Sequence, residues 1–123
     1  MSDFERKLAQ LKADLITQGD RVSNLVLRAV ECCFDTDATA ASEVINDDEA
    51  IDRVDVEIER ASIELLGIGD IAEHGIRSVL TVVKVNNELE RIADCAVVVA
   101  ETVADVEDAA ASEVPETFRV MAN

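Results

Sequence analysis

The sequence predicts an all-α protein, an antiparallel three-helix bundle of long helices with a short C-terminal helical extension. Three observations lead there. Nearly half of the 123 residues are hydrophobic, yet only three are aromatic, all Phe, so the core must be built from Val, Ile, Leu and Ala. Turn formers are scarce, with four Gly and one Pro. The apolar residues recur at helical spacing over three long segments.

The first segment opens on Ser2 and Glu5, which have capping-box spacing. Phe4, Leu8, Leu11, Leu15, Val22, Leu25 and Ala29 follow as one stripe. It should end at FDTDAT, where Asp35, Thr36 and Asp37 offer turn and cap chemistry. The second stripe runs through Val44, Ile51, Ile58 and Leu65 and stops at GIGD. There Gly67 and Gly69 are expected to adopt the left-handed conformation that closes a helix. Asp70 and Glu73 again have capping-box spacing, and the third stripe is expected to use Val82, Val85, Leu89, Ile92, Ala96, Val99 and Val103. It should fade near DVEDAAASE. The bundle therefore takes residues 1–110, leaving 111–123 as a linker and the start of a further helix at VPETFRVMAN, with Pro115 in the tolerant first turn. Helices of ~30 residues at 1.5 Å per residue are about 45 Å long, and short loops make neighbours antiparallel.

Charge narrows the function. With 27 acidic against 11 basic residues the net charge is −16, which disfavours nucleic acid and anionic membrane surfaces and favours cations and basic proteins. The N-terminus has no signal-peptide core, and no apolar run approaches the ~20 residues that span a bilayer, so a cytoplasmic protein without membrane insertion is expected. Cys32, Cys33 and Cys95 lack metal-ligand spacing and fit buried helical positions in a reduced compartment.

The acids fall in rows. With Val44 at zero on a helical wheel, Asp48, Asp52, Asp55 and Glu59 lie between about 20° and 80°, on one shoulder of the core stripe. With Leu89 at zero, Glu90, Asp94 and Asn87 lie between about 100° and 160°. If the ridges face one another, Asp48, Asp52, Glu90 and Asp94 converge as a metal site, with Asn87 and Asp55 as accessory ligands. Crowded carboxylates repel unless cations relieve them. Hard oxygen ligands suit Mg, Ca, Mn or iron, with Zn a further candidate. The alternative is a solvated acidic face on a metal-free helical interaction module.

The segment NNELERIADCAVVVAE, Asn86 to Glu101, resembles the signature of the PhoU family, typically ELERIGD-x-A followed by NIAE. NDDEAIDRVDVEIE resembles that family's second signature, and Arg77 in GIRSV matches an Arg between the two. The matches run from about Asp47 to Glu101, and VPETFRVMAN resembles the opening of a second repeat. The resemblance implies a three-helix repeat whose acid-x-x-x-Asp motifs, here Asp48 with Asp52 and Glu90 with Asp94, bind metal clusters, typically iron. It implies a cytoplasmic negative regulator of phosphate uptake and no enzyme, peripheral at the inner membrane through protein partners. Those partners are the phosphate-specific ABC transporter and a PhoR-type histidine kinase. Three departures stand out: Ala93 replaces a Gly, Val98 an Asn, and one repeat stands where two are usual, so a homodimer is expected. Two readings compete. A histidine phosphotransfer domain would use His74, although that residue falls in the first turn of the third helix. A carboxylate-bridged di-iron enzyme expects Glu-x-x-His on two helices, which one His cannot supply.

Overall fold

The computed structural model describes residues 2–113, with side chains described to Val106. Three helices follow in order: α1 (Asp3–Asp35), α2 (Ala38–Leu66) and α3 (Glu73–Glu113), each packed against the other two. Ser2 caps α1, its Oγ accepting the N–H of Glu5 at 3.1 Å. The α1–α2 turn uses the residues expected of it. Thr36 is left-handed and donates its N–H to the Cys32 carbonyl, and Asp37 caps α2 by accepting from the N–H groups of Thr39 and Ala40. Two residues between long helices force them antiparallel.

The second connection differs from expectation. Gly67 is right-handed, no glycine among the described residues has positive φ, and Asp70 takes the left-handed conformation instead. Asp70 therefore does not cap α3, which begins at Glu73. Gly75 serves packing here. The Phe4 ring lies so close that a Cβ on Gly75 would sit 2.8 Å from its Cε1. At its far end α3 continues through the acidic stretch to Glu113. The further helix expected at VPETFRVMAN lies outside the described residues.

The inner face of α3 is not the expected stripe. Val82, Ala96 and Val103 are buried and Leu89 is half-buried, but Val85, Ile92 and Val99 are substantially exposed. Their places inside are taken by Asn86, Ala93 and Ala100. Small residues let α3 approach both neighbours, while the larger aliphatics sit on its shoulder. Of the cysteines only Cys32 is buried, against the expectation for all three; Cys33 and Cys95 are exposed.

The core has two parts. Val22, Leu25, Ala29, Ala41, Val44, Ile51, Ala93 and Ala96 pack in one, and Leu11, Ile58, Leu65, Val79 and Val82 in the other. Between them each helix contributes one buried polar residue: Gln18, Asp55 and Asn86. The Gln18 amide donates to the Ile51 carbonyl at 2.8 Å, and the Asn86 amide donates to the Asp55 carbonyl at 3.2 Å and to the Asp55 carboxylate. Both acceptor carbonyls lie on α2, one turn apart. Slippage of α1 or α3 along α2 would strand buried polar groups, so this layer holds the register.

Candidate metal centre

The register set by that layer decides which carboxylates meet. Asp48 and Asp52 lie one turn apart on α2, and Asp94 comes to them from α3. Each of the three offers an oxygen within 4.8 Å of the others. Asp52 and Asp94 are exposed while Asp48 is half-buried, with an Oδ1 that is fully covered and has no hydrogen-bond partner. Burial, then the charges of Asp52 and Asp94, push the Asp48 carboxyl up from 3.8 to about 6. Among the described residues, neither His74 nor a cysteine belongs to this group.

One turn toward the polar layer the pattern repeats less openly. Glu90 on α3 faces Asp55 on α2, and the Asp55 charge, followed by burial and a hydrogen bond between the two, raises the Glu90 carboxyl above its ordinary range. Asp94 and Asp52 add to that rise, so the two levels form one electrostatic group. The buried amide beside it belongs to Asn86, whose Oδ1 is covered and without a partner. Asn87 is exposed.

The structure thus brings Asp48, Asp52 and Asp94 together and sets Glu90 with Asp55 one level away. Asn86, buried where the expected stripe has Val85, is a site residue that the apolar pattern does not pick out. The usable signal was its place four residues before Glu90 and seven before Ala93, on the inner step of the heptad.

Carboxylates on two helices, held close with one oxygen orphaned, oppose folding until positive charge arrives. The donor set is hard oxygen, one from each of three carboxylates, and Asp48 is left with an unpartnered oxygen, so these residues fit a hard cation. A profile of the PhoU domain matches residues 15–103 of the chain. The chain belongs to the PhoU family. It is 32% identical over 98 residues to the phosphate-specific transport system accessory protein PhoU homolog 1 of Thermotoga maritima, covering 80% of this chain and 42% of that protein. The PhoU homolog of Clostridium acetobutylicum is 30% identical over 101 residues, covering 81% and 46%. PhoU of Serratia marcescens is 25% identical over 93 residues, covering 76% and 38%. The chain spans less than half the length of these curated relatives. No solved structure matches it significantly. Asp48, Asp52, Asp55, Asn86, Asn87, Glu90 and Asp94 all lie inside the matched PhoU domain. His74 also lies inside it, exposed in the first turn of α3.

Proposed function

We propose that this chain is a metal-binding regulator of phosphate uptake and phosphate signalling that works by protein–protein contact rather than catalysis. Membership in a family whose relatives are named accessory proteins of the phosphate-specific transport system supports the regulatory part. The partners of this reading are the phosphate ABC transporter and its sensor histidine kinase. They are met from the cytoplasmic side, with the chain acting as a homodimer. Among the described residues no helix is long and apolar enough to cross a membrane, which suits a protein that reaches a transporter through its surface.

The observation that carries the metal reading is the Asp48–Asp52–Asp94 group with its orphaned Asp48 oxygen. Asp48, Asp52 and Asp94 are the holding residues. Glu90 and Asp55 lend negative charge from the adjacent level, and Asn86 keeps Asp55 in place. A cation there supplies charge neutralisation and a tie between α2 and α3. An iron cluster is the leading occupant by family resemblance, with Mg, Mn, Ca or Zn as alternatives. The surface presented to a partner would then differ between the loaded and the stripped protein.

Metal analysis of anaerobically purified protein tests this, beside Asp52→Ala and Glu90→Ala. Stoichiometric metal in the parent, lost in Asp52→Ala and reduced in Glu90→Ala, is the expected result. A parent that binds none of these metals at micromolar or tighter affinity would refute the site.

A further inference from the structure

Two rows of residues run along the α2–α3 face from the carboxylate centre, and both end on leucine. On α3, Asp94, Asn87 and Leu80 repeat every seven residues, and on α2 Asp52, Glu59 and Leu66 do the same. Seven residues make about two turns, so each row keeps to one flank of its helix. Because α2 and α3 are antiparallel, both leucines fall at the same end of the face, toward the α2–α3 connection. Ile63 and Ile76 lie within one turn of them. Leu80 is 52% and Ile63 63% exposed, and Leu66 and Ile76 are exposed as well. Two heptads at 1.5 Å per residue put this apolar end about 20 Å from the carboxylates.

The carboxylate end is short of donors. Asp48 Oδ1 and, behind the face, the Oδ1 of Asn86, which is only 2% exposed, accept from nothing among the described residues. The arginines and lysines that form ion pairs there take Asp3, Asp47, Glu73 and Glu88, and none takes Asp48, Asp52 or Asp94. A bare cation accounts for the carboxylates and leaves the exposed leucines and isoleucines unexplained.

We propose that this face docks an amphipathic helix of a partner protein, with a Lys or Arg in the Asp48–Asp52–Asp94 centre and apolar residues, two heptads away, on the leucine end. Metal and partner are then alternative occupants of one centre. The inference deepens the metal reading above and rests on it. Charge and apolar area together pick the occupant. A chain of net charge −16 is poorly suited to an anionic membrane, whereas a basic amphipathic helix complements both ends. Helix-on-helix packing sets such a segment's own heptad positions against the two rows. An ammonium or guanidinium also supplies several N–H donors at once to clustered carboxylates. Loading the centre with metal takes up those oxygens and releases the helix.

Fluorescence anisotropy with the full chain tests this. The probe is a labelled synthetic helix of ~20 residues, with leucines at one end of a face and one Arg two heptads away on that face. A peptide of the same composition with its Arg on the opposite face controls for general attraction to an acidic protein. In chelator the probe should bind about tenfold tighter than the control, and saturating manganese(II) should weaken it about tenfold. Ile63→Gln and Leu80→Gln should each weaken the probe severalfold, with helix content and manganese affinity unchanged, whereas Asp52→Ala should lose both ligands. Equal binding of the two peptides, or binding of neither, would overturn the docking face. So would a probe indifferent to both Gln variants. A parent that binds manganese yet takes the probe undiminished would overturn the alternation while the metal reading stands. A parent that takes the probe and no manganese would overturn the alternation together with the metal reading.

Discussion

Asp48→Asn removes the charge that burial, Asp52 and Asp94 oppose together, so the metal-free protein should become more stable and bind cations less well. The folded carboxyl holds its proton up to about pH 6, against an ordinary 3.8. Between those values the folded state binds more protons than the unfolded chain, and stability therefore falls as pH rises through that window. Above about pH 6 the penalty is complete. The gap corresponds to at most about 3 kcal/mol, and because the group is only half-buried, solvent screening brings the expected effect nearer ~1 kcal/mol.

Urea unfolding followed by circular dichroism, in chelator, measures it. At pH 7.5 the Asn variant should exceed the parent by ~1 kcal/mol, and near pH 4.5 the difference should shrink to roughly a third of that. With a hard divalent cation in place of chelator the order should reverse, because only the parent gains binding free energy in full. The comparison with the variant matters, since acidification relieves repulsion everywhere on a chain this acidic. An Asn variant less stable than the parent at pH 7.5 in chelator would refute the reasoning, because the carboxylate would then be a favourable partner and no strained ligand.

Asn86→Ala should destabilise by about 2 kcal/mol, because Asp55 is left buried without its amide donor; Asp55→Ala in that background should cost much less than alone, as a double-mutant cycle by urea unfolding would read. Thr36→Gly should stabilise by up to about 1 kcal/mol, since a β-branched residue is held at φ 50, and thermal unfolding checks it. Gly75→Val should lower stability by about 2 kcal/mol through collision with Phe4 and Ile71, and adding Phe4→Ala should restore part of the thermal midpoint.

Local chemistry was legible and non-local geometry was not. Ser2, Thr36 and Asp37 act where they stand, through hydrogen bonds to residues within four positions, so their roles follow from the sequence. The same logic misplaces Asp70, whose spacing to Glu73 imitates a cap although the chain turns left-handed there and starts α3 three residues later. On α3 the choice between Val85, Ile92, Val99 and their neighbours Asn86, Ala93, Ala100 depends on how near α1 and α2 approach. Size preference selects the valines and isoleucine, but close approach selects the alanines.

The carboxylate rows show the same division. That Asp48 and Asp52 share a flank, and Glu90 and Asp94 another, is helical arithmetic. That Asp94 joins Asp48 and Asp52 while Glu90 meets Asp55 is a matter of register between helices, which one helix's pattern cannot express. The residues that set this register are Gln18, Asp55 and Asn86, each a polar break in an otherwise apolar stripe. The hydrogen bonds they make add little net stability, but any shift of one turn would bury their amides and the Asp55 carboxylate unpaired, and that asymmetry makes the arrangement specific. The polar layer and the acidic ridge are therefore one device: the layer spends core positions on amides and a carboxylate so that carboxylates from two helices arrive at the same level.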